Sequence, residues 1–306
     1  MPPRGLDALL KKWEMKDLIR RARKSDEALV ELLKGIRSED TDVKLASLSA
    51  LLELVQSSNW RERKRILEMG FDVLIDTLFS QDERVLWRTL AILSTLLKNN
   101  PLNGSRLLKL VKALTNLADT KSPLVWDELL NVVDSVMASY VDDNVAQELK
   151  EILNKGTASE AVIVAMILLE IGAIDKDCWT TLVERIASAL LSGEPRLVDA
   201  GLVASLKISK LPPVYPMDVL IKELLPALRK AMLNCDDHIR KAKAIEVFDK
   251  LRETLVRYYR FRPKEAQRVV EELLSIGLVD EAYLISSAIG TIPTSPWEFY
   301  GNRGKL

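Results

Sequence analysis

The chain has 306 residues, 48% of them apolar, and its 44 basic side chains balance 44 acidic ones, so a sizeable core can be buried and net charge names no partner. Two cysteines and a single histidine exclude a disulfide framework and a histidine-rich metal centre. Leu, Ala, Glu, Lys and Arg dominate while strand-like alternation is scarce, which points to an all-α protein.

Residues 5–24 read as a basic amphipathic helix. Leu6, Leu9, Leu10 and Trp13 follow the i, i+3, i+4, i+7 rule, and residues 1–24 carry eight basic groups against three acidic ones. Such a helix is expected to cap the open end of a repeat array, with a membrane-surface or partner-binding helix as the alternative. No apolar leader follows Met1-Pro2-Pro3-Arg4, and the longest apolar run, Ala161 to Leu169, is half of the roughly 20 residues a membrane span needs. A cytoplasmic protein is expected.

From Ser25 the pattern becomes periodic. Ser25 is a candidate N-cap for a helix through Ile36, and the polar turn Ser38-Glu39-Asp40-Thr41-Asp42 leads into a second helix. That helix carries Val43, Leu48, Leu51 and Leu54. The same spacing returns at Val85, Leu90, Leu93, Leu96 and at Val125, Leu130, Val133, Val136. Weaker copies start at Glu160 and Leu197, a sixth starts at Ile239, and the six anchors are 42, 40, 35, 37 and 42 residues apart. A chance amphipathic helix gives the internal spacing. Near-constant separation of six copies marks a helical solenoid repeat.

These residues resemble the HEAT and armadillo repeat proteins. Asp42-Val43-Lys44-x-x-Ser47 and Asp237-His238-Ile239-Arg240-Lys241-x-Lys243-Ala244 are similar to the opening of a HEAT second helix. Gly70-Phe71-Asp72-Val73-Leu74 is similar to an armadillo repeat in which Gly ends a short first helix, here Arg61 to Met69, before another from Asp72 to Phe79. The resemblance covers residues 25–290. It implies a right-handed α-solenoid of about six HEAT/armadillo-like repeats with capping helices, and says little about chemistry. Glu160 and Ser205 stand where that pattern expects apolar side chains.

First helices of later repeats are expected at Ser105–Leu117, Asp143–Asn154, Asp177–Leu191 and Met217–Leu233, the last kinked by Pro226. Leu211-Pro212-Pro213-Val214-Tyr215-Pro216 cannot be helical, and reads as an inter-repeat loop or a hinge. A final pair follows at Lys264–Ile276 and Val279–Ile289. Residues 291–306 form a tail containing Pro293, Pro296, Trp297, Phe299 and Tyr300, which folds back or serves as a linear motif.

The sequence contains no phosphate-binding loop, dinucleotide fingerprint or nucleophile elbow. One histidine excludes HExxH zinc sites and the His-Glu iron sites of some HEAT-repeat hydroxylases. The reading is therefore not an enzyme and no cofactor. A remote alternative rests on resemblance to HEAT-like DNA glycosylases, through Trp87 and Trp126-Asp127. The Trp-x-x-x-Asn ladder of nuclear-import armadillo arrays is absent, since Ala91 and Leu130 stand at the expected asparagines. Only four glutamines accompany the many Glu, Lys and Arg, which resembles a thermophile's composition.

Charge is uneven along the chain. Residues 119–199 hold six basic and fifteen acidic groups, and residues 200–270 hold fifteen basic and eight acidic. The basic part contains Arg240, Lys241, Lys243, Arg257, Tyr258, Arg260 and Arg262, the candidate partner-binding residues, because guanidinium beside aromatic suits phosphate and stacked bases. A protein partner along the solenoid surface is the first expectation and nucleic acid on the basic third the second. Self-association of basic and acidic segments is the third.

Overall fold

The computed structural model describes residues 15–290, Ser139 and Pro213 apart. Leu6, Leu9, Leu10, Trp13 and the aromatic tail lie outside them. The described residues form fifteen α-helices and one π-turn, in two compact units that divide between Ala173 and Ile174.

In the first unit, α1 (Met15–Lys24) precedes four hairpins. First helices are α2 (Asp26–Ile36), α4 (Trp60–Thr77), α6 (Gly104–Asn116) and α8 (Asp143–Lys155). Second helices are α3 (Thr41–Gln56), α5 (Glu83–Leu97), α7 (Pro123–Ser135) and α9 (Ala158–Ile171). Each helix packs on its hairpin partner or on its counterpart in the next repeat, which makes two parallel layers around one core. All four expected second helices are present, and each opens on a polar turn. Asp40, Asp82 and Thr157 accept hydrogen bonds from first-turn amides, and Pro123 opens α7.

The first two copies behave as their spacing predicts. Val43, Leu48, Leu51, Leu54, Val85, Leu90, Leu93 and Leu96 are all buried. Glu160 does not disturb the register, because its carboxylate accepts from the Thr157 amide at 2.7 Å and completes a capping box. In α7 the half-buried Leu130 gives its core place to Leu129.

The expected helix break at Gly70 is not there. Arg61–Met69 and Asp72–Thr77 belong to one continuous helix, α4. Gly70 sits inside it as a point of close approach, where a Cβ would stand 3.1 Å from a Leu33 methyl of α2. Helix α4 stops at Thr77, so Phe79 falls beyond it and is 57% exposed.

The second unit holds α10 (Lys176–Leu191), α11 (Pro195–Ile208), a π-turn (Leu220–Leu224), α12 (Leu225–Leu233), α13 (His238–Arg260), α14 (Pro263–Ser275) and α15 (Val279–Ala288). Ser205 is accommodated in the core because its hydroxyl donates to the Gly201 carbonyl at 2.7 Å. Ile239, the sixth anchor, is 73% exposed, and α13 seats itself through Ala244, Val247, Leu251, Leu255 and Tyr259. Pro226 does not leave a bare kink. It lacks an N–H, and the turn before it widens so that the Leu225 amide donates to the Leu220 carbonyl.

The proline-rich 211–216 segment is tied to α10. Tyr215 stacks on Trp179 at 4.6 Å between ring centroids, and Trp179 Nε1 donates to the Pro216 carbonyl at 2.9 Å. The Tyr215 hydroxyl donates to the Ile174 carbonyl at 3.4 Å.

Candidate functional site

The second helices of the first unit leave one face open, and on it lies a groove of roughly 770 Å³. Its wall comes from three successive repeats. Helix α5 and its C-terminus supply Ser94, Lys98 and Asn99, α7 supplies Glu128, Asn131 and Asp134, and α9 supplies Glu170. Glu128, Asn131 and Asp134 are three residues apart, so they line one stripe of α7.

The groove is held from within. The buried Ser94 hydroxyl donates to Glu128 Oε1 at 2.8 Å across the repeat boundary, and Asn131 Nδ2 donates to Glu128 Oε2 at 3.2 Å. Asn99 takes the left-handed conformation (φ 64°) that ends α5, while Asn100 turns inward and donates to the Leu96 carbonyl at 2.7 Å. Three carboxylates and one ammonium, that of Lys98, therefore line the groove. Residues 119–173 as a whole hold ten acidic and three basic groups. Sequence reading recognised the acidic segment but not these residues, because the groove joins positions some 35–40 residues apart.

The basic residues singled out from sequence are all in the second unit, and the structure disperses them. Arg240 is half-buried and bridges repeats, donating to Asp199 at 2.9 and 3.0 Å. The Asp199 carboxylate holds its guanidinium above the ordinary value. Lys241 and Lys243 are exposed and, at 3.6 residues per turn, point about 200° apart around α13. Arg257 lies about 24 Å further along the same helix at 1.5 Å per residue.

Arg257 and Arg260 share an exposed stripe near the end of α13. The helix stops at Arg260 and Pro263 starts α14, so Lys264 lies on a different helix from that stripe. Of the three neighbouring rings, only Tyr259 is fully buried, and burial pushes its phenol pKa up. Tyr258 is half-buried and donates to Glu265 at 3.0 Å; burial first, then this bond, raises its phenol too. Arg262 lies 4.0 Å above the Tyr258 ring and donates to the Tyr258 carbonyl at 3.0 Å. Phe261 is 78% exposed at the tip of the corner.

The two tryptophans do not share a surface: Trp126 is 3% exposed, whereas Trp87 is at the surface beside the Arg88 guanidinium. Among the described residues no group of His, Cys, Asp or Glu is arranged to hold a metal ion, and no helix is long and apolar enough to cross a membrane.

No protein-family model matches the chain, and no curated protein sequence matches it. Solved structures do. An archaeal HEAT-like repeats protein from Thermococcus onnurineus NA1 superposes with a TM-score of 0.65 at 21% identity, covering 81% of this chain and 96% of that one. A designed armadillo repeat protein aligns with a TM-score of 0.41 at 15% identity over 73% of this chain and 99% of its own. Another, solved in complex with a (KR)4 peptide, gives 0.43 at 15% identity over 72% and 99%. The archaeal likeness establishes the fold, an all-α helical repeat of the HEAT/armadillo type.

Proposed function

We propose that this protein is a non-catalytic scaffold that holds a protein partner along the exposed face of its second helices. The observation that carries this reading is the groove over α5, α7 and α9, lined by the carboxylates of Glu128, Asp134 and Glu170 and the one ammonium of Lys98. A partner segment bearing lysine or arginine complements that charge, and complementarity of this kind sets partner choice and association rate more than raw affinity. Repeats packed on their neighbours provide the fixed surface such recognition needs.

The test is selection of displayed random peptides on the full chain. The expected result is enrichment of lysine- and arginine-containing peptides whose affinity falls roughly tenfold or more when Glu128→Lys and Asp134→Lys are combined. Peptides that bind equally well after that double substitution overturn the assignment of the groove. A second copy of the chain is the other partner of the same chemistry, and sedimentation at low and high salt distinguishes it.

A further inference from the structure

The corner between α13 and α14, in the other unit, has a different character from the groove. Helix α13 ends at Arg260 and α14 begins at Pro263, so Phe261 and Arg262 make the turn. Arg262 is engaged with the Tyr258 ring, the Tyr258 carbonyl and Glu265 at 3.8 Å, and Tyr258 donates to that same carboxylate. These contacts make the turn a fixed knuckle. Buried Tyr259 anchors it from below.

What the knuckle presents is an exposed phenyl ring flanked by cations. Arg257 and Arg260 stand one turn apart on α13, and Lys264 and Arg268 one turn apart on α14; all four are exposed. None of the four makes an ion pair among the described residues. The carboxylates near the turn are not equivalent: Glu265 is committed to Tyr258 and Arg262, Asp218 pairs with Lys222 at 3.6 Å, and Glu253 and Glu271 stand a turn away from the corner, beyond Arg257 and Arg268. Unpaired guanidinium and ammonium groups around a solvent-facing ring match a chain of phosphates with splayed bases, because cations neutralise phosphate and any base can stack on the ring. The apolar area at the tip is one phenyl and one proline ring, too little to seat a membrane anchor.

We infer that the α13–α14 corner is a binding site for single-stranded nucleic acid, with Phe261 as the stacking platform and Arg257, Arg260, Lys264 and Arg268 as phosphate contacts. Arg262 is a positioning residue that holds the turn. The site shares no residue with the groove, so either assignment can fail alone.

The experiment is a fluorescence-anisotropy titration of labelled oligothymidylate and oligouridylate with the full chain over a series of salt concentrations. Phe261→Ala is expected to weaken binding roughly tenfold. Arg257→Ala with Arg260→Ala is expected to lower the slope of log affinity against log salt by about 1.4, two phosphate contacts' worth on a single strand. Every substituted side chain is exposed, so unchanged far-ultraviolet circular dichroism is expected to accompany these losses. Absence of binding at low salt overturns the proposal, as does binding that both variants leave unchanged. Phe261-dependent sedimentation with phosphatidylserine vesicles, in the absence of oligonucleotide binding, overturns it in favour of a lipid surface.

Discussion

Two glycines inside helices show how differently the same residue can be constrained. At Gly70 an added methyl would meet only the end of the Leu33 side chain, 3.1 Å away. At Gly201 it would meet Leu190 Cγ at 3.0 Å, its Cδ2 at 3.1 Å and its backbone nitrogen at 3.3 Å, so part of what must give way is backbone. Gly70→Ala is therefore expected to stay within about 1 kcal/mol of wild type in urea denaturation, since helix propensity gains about as much as the displaced methyl costs. Gly201→Ala is expected to lose about 1–3 kcal/mol by overpacking. Equal effects at the two sites would contradict this packing. Asp82 supplies the pH-dependent case. Its hydrogen bond to Arg84, and then those from first-turn amides of α5, lower its pKa to about 2. A carboxylate whose pKa is lower folded than unfolded stabilises in its ionised form. That contribution is complete above the unfolded value of about 4 and disappears as pH falls toward 2. Thermal melts of wild type and Asp82→Asn should thus converge across that window, and a gap of constant size down to pH 2 would refute the linkage.

At the scale of elements, caps decide where the hairpins turn. Asn59 accepts from the Arg61 and Glu62 amides at 3.0 and 3.1 Å, while Glu62 accepts from the Asn59 amide at 3.1 Å. Asn59→Ala should cost about 1 kcal/mol in chemical denaturation, whereas Ala at the exposed, uncapped Gln81 should cost almost nothing. The second helices were legible because their stripes at +5, +8 and +11 are imposed by the helical period and recur with the repeat. Gly70 is ambiguous in sequence, because a glycine that admits a neighbouring side chain and one that ends a helix look alike there. Phe79 and Phe261 each lie just past a helix end, which a hydrophobic pattern locates only to within a few residues. The basic cluster looked continuous because its members are close in sequence. Its partner for Arg240, Asp199, is 41 residues away in the preceding repeat, and pairings at that range have no local signature. The acidic groove was half legible: Glu128, Asn131 and Asp134 carry a helical spacing on one stripe, but Ser94 and Glu170 join them only through the stacking of repeats.

For the molecule as a whole, each repeat contacts its neighbours, so local opening should follow local burial. Helix α9 is buried nearly all round, with every residue from Ala161 to Leu169 in the interior. Helix α14 buries only Ala266, Val269 and Leu273. Amide exchange is expected to be slowest in α9 and among the fastest in α14, and comparable protection in the two helices would contradict that ranking. Ion pairs that join successive first helices, such as Lys109–Asp72 at 2.8 Å and Lys112–Glu148 at 2.7 Å, are exposed. They align neighbouring repeats while contributing little to stability.

The loops after α5 and α7 are joined by backbone: the Leu102 amide donates to the Met137 carbonyl at 2.8 Å, and Leu102 pairs in parallel with Ala138. This contact determines where the chain can be opened for engineering. A reporter domain or affinity tag spliced into residues 98–103 or 136–140 would separate two strands of chain that hold each other, and would disturb Asn99 and Met137 at the groove. The turn at Ser80-Gln81-Asp82, on the opposite end of the same hairpins, has no such tie, and an insertion after Gln81 leaves both the Asp82 cap and the groove intact.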